Sequence, residues 1–141
     1  MANTISSRLA GIVDALPLRP GMRVLEIGCG PGAAARAALQ RVGEGHVLAI
    51  DRSARAIAQA IAGSGPELAS GQLEFRCVAV EDFVLARGER PYDLAFAVRV
   101  GALDGRHPAA GVAALGRLRQ ALVSGGRLFI DGGDPLKEIA L

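Results

Sequence analysis

The residues best placed to do chemistry sit close together at positions 24–32, Val-Leu-Glu-Ile-Gly-Cys-Gly-Pro-Gly. Gly28, Gly30 and Gly32 alternate along this stretch. Glycine allows backbone angles that a side chain would forbid, and it lets a ligand lie against bare main chain. Glu26 stands two residues before the first glycine, and Asp51 follows about 20 residues after the turn, where an acid in such an architecture meets ribose hydroxyls. A carboxylate suits that task because it accepts from both hydroxyls at once. Two ligand classes fit the turn. A dinucleotide would use G-x-G-x-x-G/A, which Gly28, Gly30 and Ala33 satisfy. Glu26 argues against it, since a carboxylate beside a pyrophosphate places like charges together. The same acid favours a nucleoside that carries an ammonium group and a sulfonium.

The stretch resembles the first motif of the class I S-adenosylmethionine-dependent methyltransferases, an acid, one residue, then G-x-G-x-G. The resemblance extends over about 22–130. Tyr92-Asp93-Leu94-Ala95 matches the family's fourth motif, and Gly125-Gly126 stands where the family has a glycine pair before its fifth strand. This implies S-adenosylmethionine as cofactor, with S-adenosylhomocysteine as product. The implied cofactor-binding residues are Glu26, Gly28, Cys29, Gly30, Gly32, Asp51, Arg52, Val80, Glu81 and Val98. In the family an acid just past strand three often reads the adenine amino group. Ala79 occupies that position here, so main-chain groups at Val80 and Glu81, or the Glu81 carboxylate, are the nearest substitutes. Residues 98–101 are expected to line the methyl-transfer face.

The implied reaction is in-line methyl transfer to a small-molecule acceptor, in which the protein's main task is alignment. Where a base is needed, His107 and Asp104 in the loop after strand four are the catalytic candidates, with Asp131 and Asp134 after strand five as others. Imidazole titrates in the useful range. His46 lies at the wrong end of the sheet. Two other functions compete: a module that binds the cofactor without turnover, and an NAD-dependent oxidoreductase, which Ala33 permits and Glu26 opposes.

These residues need an α/β scaffold. Ile5, Leu9, Ile12, Val13 and Leu16 are spaced as one face of a helix over 5–16, ended by Pro17 and Pro20. This helix, within residues 1–20, is expected over the cofactor mouth. Val24, Leu25 and Ile27 mark a buried strand, and the alanine-rich segment after Gly32 a helix whose first N–H groups point at the turn. Further strands are expected at 46–50, 73–80, 92–98 and 127–131. Helices are expected at 54–62 and 108–123, the latter with Val112, Leu115, Leu118 and Leu122 facing inward. Ser53 is placed to cap the helix that starts at Ala54. The predicted fold is a Rossmann-like three-layer sandwich, a parallel sheet ordered 3-2-1-4-5 with helices on both faces. The family's sheet has two more strands, for which the last residues leave no room. Strand five is therefore expected at an edge, covered either by the tail or by a second subunit in a homodimer.

Length and composition narrow the rest. The 141 residues make one domain, 1–141. Half the residues are apolar, but none of the runs approaches the roughly 18–20 residues of a membrane span. The start, MANTISSRLAG, does not read as a signal peptide, and a cytoplasmic location follows. Net charge is only +2, with arginines scattered among acids, which disfavours nucleic acid. Cys29 and Cys77 read as free thiols, and the two histidines lie near neither cysteine, so no metal site is expected.

Overall fold

A computed structural model describes residues 5–141. The first four residues, part of the stretch read for a leader and of the 1–20 segment, lie outside the described residues. Helix α1 (Ser7–Ala15) precedes strand β1 (Arg23–Ile27), helix α2 (Ala33–Val42) and strand β2 (His46–Asp51). Helices α3 (Ala54–Ala62) and α4 (Gly65–Ala69) lead into strand β3 (Leu73–Cys77), and a 3₁₀ turn spans Val80–Asp82. Strand β4 (Tyr92–Ala97), helix α5 (Pro108–Ala121), strand β5 (Leu122–Asp131) and strand β6 (Leu136–Ile139) complete the chain.

The sheet runs β3-β2-β1-β4-β5-β6, parallel except for the β5–β6 pair. The expected order of the first five strands is present. The sixth strand corrects the expected count: Leu136–Ile139 turns back and pairs antiparallel with residues 128–131. The tail therefore covers the β5 edge through which a homodimer was expected. β1, β2 and β4 are almost wholly buried along their lengths, as strands covered on both faces must be. One face packs Val24, Val47 and Phe96 against Val13 of α1, Ala35 and Ala38 of α2, and Ile57 of α3. The other packs Leu25, Ile27 and Ile50 against Ala114 and Leu118 of α5 and Val80 of the 3₁₀ turn.

Several boundaries are set by local chemistry. The hydroxyl of Ser6 accepts from the Leu9 N–H at the start of α1, and that of Ser53 from the Ala56 N–H at the start of α3. β3 ends at Cys77, short of the expected Val80, because the chain bends into the 3₁₀ turn there. Of the residues expected to face inward from α5, Leu115, Leu118 and Leu122 pack on the core, and Val112 does not. Val112 is 76% exposed, whereas Ala114, Leu118 and Ala121 are buried. Among the described residues, no helix is long and apolar enough to cross a membrane.

Candidate functional site

The carboxyl ends of β1, β2 and β4 meet at the point where the strand order reverses, the usual place for a ligand in an open α/β sheet. Below them lies a cavity of about 420 Å³. It is lined by Ile27, Gly28, Ile50, Asp51 and Arg52, by residues 78–81, by residues 99–102, and by Arg106, His107 and Ala110. The volume is within the range of small-molecule sites, roughly 300–1,000 Å³.

The glycine turn is built tightly. The N–H groups of Gly28 and Cys29 both donate to the Ile50 carbonyl, at 2.8 and 3.0 Å. A Cβ on Gly28 would stand 2.7 Å from Val100 Cγ2, so only glycine fits between β1 and the loop after β4. Gly30 differs: at φ 52°, a Cβ there would meet nothing within 4 Å. Its N–H donates to Asp51 Oδ2 at 2.9 Å, while Oδ1 of the same carboxylate accepts from the Ser53 N–H at 2.9 Å. Asp51 therefore ties the turn to the end of β2 while remaining on the cavity wall.

Glu26 lies on the other face of the sheet, between Ala49 and Phe96 in register. It is 3% exposed, and its Oε1 has no hydrogen-bond partner. Burial, reinforced by the nearby negative Asp51, raises its pKa to about 8. Cys29 is buried beside it, and burial together with the charges of Glu26 and Asp51 pushes its thiol well up. It is a poor nucleophile there.

The candidates thus divide. Gly28, Asp51, Arg52, Val80, Glu81 and His107 line the cavity. Glu26, Cys29, Gly30, Gly32 and Val98 do not; Cys29 and Val98 pack with the α1 and α2 face. None of the lining residues belongs to α1, whose Val13 packs with α2, as does Leu16 just after it. Asp104 stands outside the cavity, bridged by Arg106 at 2.9 and 3.0 Å. That pairing holds its carboxyl below the usual range and weakens it as a base. Asp131 accepts from the Arg99 N–H at 3.0 Å and from Arg8 at 3.0 Å, which makes it an anchor for the loop after β4. The His107 ring packs on Gly101, where a Cβ would come within 2.4 Å of Cδ2.

Sequence reasoning missed that anchor. Arg8 and Asp131 are 123 residues apart, and no local pattern marks either as a partner of the other. Arg106 was also missed as a lining residue, although its position in the loop after β4 could have suggested it. Among the described residues, no group of three or more His, Cys, Asp or Glu side chains could hold a metal ion.

Comparisons with known proteins agree with this geometry. A family described as "Methyltransferase domain" matches residues 24–126. A curated relative, trans-aconitate 2-methyltransferase of Streptomyces avermitilis, is 33% identical over 82 residues, covering 58% of this chain and 29% of its own. A SAM-dependent methyltransferase from Thiobacillus denitrificans, solved with S-adenosyl-L-homocysteine, superposes with a TM-score of 0.67 at 25% identity, over 92% of this chain and 50% of its own. The [4+2]-cyclase SpnF superposes with a TM-score of 0.68 at 23% identity, over 87% of this chain and 43% of its own. That last likeness shows the fold alone, and its name shows that the fold does not fix the reaction. The chain spans less than a third of the curated relative and half or less of these two structures.

Proposed function

Given that this chain belongs to the methyltransferase domain family, we propose that it binds S-adenosylmethionine and transfers its methyl group to a small-molecule acceptor. The observation that carries the reading is Glu26, a buried carboxyl with an unpartnered oxygen beside a glycine turn. An unpaired buried polar atom costs stability, and a ligand that supplies a partner would recover that cost. Glu26 lies outside the cavity, so the ammonium end of the cofactor must extend past the glycine turn to meet this carboxyl, and it is the partner the carboxyl fits. The oxyanions of NAD offer this carboxyl no positive charge and would meet repulsion once it ionises.

The rest of the chain fits the same ligand. Asp51 has given one lone pair on each oxygen to Gly30 and Ser53. A carboxylate has about four such sites, so two remain for ribose hydroxyls. Val80 and Glu81 on the cavity wall supply main-chain groups for the base in place of the side chain that Ala79 lacks. Bound there, the cofactor supplies an electrophilic methyl on a sulfonium. The loop after β4, held by Asp131, fixes the wall on which an acceptor is aligned. His107 is the cavity side chain able to take a proton from an acceptor that must lose one.

Isothermal titration with S-adenosylhomocysteine and with NAD tests the reading. The homocysteine ligand should bind and NAD should not. With Glu26 largely protonated at neutral pH, binding an ammonium should expel its proton. Titration at pH 7 in buffers of different ionisation enthalpy should therefore show proton release in the wild type and none in Glu26→Gln. Binding of NAD alone would support an oxidoreductase. Binding of S-adenosylhomocysteine with no turnover on any acceptor would leave a binding module.

A further inference from the structure

We infer that the acceptor at this site carries an oxyanion, a carboxylate or phosphate, and that the Arg99 guanidinium selects it; this rests on the cofactor reading above. Three arginines line the cavity, Arg52, Arg99 and Arg106, against two acids, Asp51 and Glu81. Asp51 is engaged by the turn, and Arg106 by Asp104. Among the described residues, no hydrogen bond or ion pair engages the guanidinium of Arg52 or of Arg99. Arg52 follows Asp51 on the side proposed for the ribose, whereas Arg99 stands two residues after β4 on the wall proposed to face the acceptor.

The backbone of Arg99 gives the second line of argument. Its φ is 58°, the only positive value at a non-glycine among the described residues. L-residues resist that region, and arginine has no local hydrogen bond to offer in exchange. Two side chains from elsewhere hold it there. Asp131, at the end of β5, accepts the Arg99 N–H at 3.0 Å, and Arg106 donates to the Arg99 carbonyl at 3.0 Å. Asp131 is itself held by Arg8 of α1. Contacts from three parts of the chain thus maintain a conformation that glycine would adopt freely, and the side chain so displayed is an unpaired cation. Strain of this kind clusters where a ligand is held. A guanidinium presents a planar fork that matches carboxylate or phosphate oxygens in pairs.

The probes for the test are tricarballylate, glycerol 3-phosphate and the uncharged tricarballylamide, titrated into protein saturated with S-adenosylhomocysteine. At least one oxyanion should bind tenfold or more tightly than the amide. Arg99→Gln should weaken that binding at least tenfold, Arg99→Lys by less, and both should keep S-adenosylhomocysteine affinity within twofold. Arg99→Gly relieves the backbone while removing the cation, so it should melt no lower than the wild type and still lose the probe. The inference is overturned if the amide binds as well as the acids, if neither oxyanion binds, or if Arg99→Gln leaves probe affinity unchanged. It is also overturned if Arg99→Gln weakens S-adenosylhomocysteine in parallel, since the guanidinium would then serve the cofactor. Wild-type protein that fails to bind S-adenosylhomocysteine at all sinks the cofactor reading with it, whereas firm cofactor binding without oxyanion preference sinks this inference alone.

Discussion

Asp51 carries two duties on one carboxylate, and they can be separated by substitution. It fastens Gly30 to the end of β2 and faces the cavity. Asp51→Ala should weaken S-adenosylhomocysteine binding by about 1–3 kcal/mol, the scale of lost charge-assisted hydrogen bonds. It should also lower the melting temperature, because the N–H groups of Gly30 and Ser53 lose their acceptor. Gly30→Val should abolish binding, because a β-branched residue resists φ 52° and would shift the N–H that Asp51 accepts. Calorimetry on both variants decides the matter, and unchanged affinity in both would place the pocket elsewhere. Glu26 and Asp51 were legible in the sequence because their spacing to the glycines is local or set by one strand–helix unit. Arg99 was visible only as part of a loop. Its strained backbone depends on Asp131 and Arg106, and neither partner leaves a periodic trace.

Local elements read well where their chemistry is self-contained. α3 falls on its expected residues and α2 starts directly after Gly32 as expected, because glycine or serine marks these boundaries. The leucines of the expected inner face hold, with Leu118 and Leu122 buried and Leu115 packed on the core, and Val112 is the position that fails. Val112 is exposed to solvent, and Ala114 and Ala121 are buried alongside Leu118. Val112→Lys should therefore change stability by no more than about 0.5 kcal/mol, the range of ordinary surface substitutions. Ala114→Leu, at a site with 0% exposure, should cost about 1–3 kcal/mol through overpacking. Urea unfolding of the two variants measures both, and the reverse order would place Val112 on the inner face as expected. β6 was missed for another reason. Leu-Lys-Glu-Ile is four residues long, with two charges, and becomes a strand only by pairing with β5. The exposed Arg127–Glu138 pair across that seam adds little. A variant ending at Asp134 should leave the β5 edge bare, and light scattering should then show concentration-dependent association. A truncated protein that stays monomeric would mean the edge is protected by something other than β6.

At the scale of the molecule, the two ends of the sheet hold groups with opposite proton preferences. At the carboxyl end, burial raises Glu26 above its unfolded value, to about 8. A raised acid contributes stability that is fully present below about 4.5 and is lost as pH rises through 8. At the amino end, Arg76 bridges Glu74 at 2.9 Å and Glu89 at 3.1 Å, and the Tyr92 hydroxyl donates to Glu89. Burial opposes ionisation of Glu89, but Arg76, Tyr92 and the Ala86 N–H outweigh it and hold the carboxyl below its usual range. His46 is lowered by burial and then by Arg23. Both of these contributions are lost as pH falls, His46 from about 6.5 downward and Glu89 from about 4.5 downward. Above pH 6.5 Glu26 acts without that opposition, so stability should fall toward pH 8 with a slope of up to about 1.4 kcal/mol per unit. Glu26→Gln should flatten this limb and leave the acid limb in place. Saturating S-adenosylhomocysteine gives the complementary reading. An ammonium against Glu26 favours its ionised form, so the ligand should raise the melting temperature more at pH 8 than at pH 6, and by the same amount at both in Glu26→Gln. Equal ligand shifts at the two pH values in the wild type would show that the ammonium does not reach this carboxyl, and the charge argument that excludes a dinucleotide would fall with it.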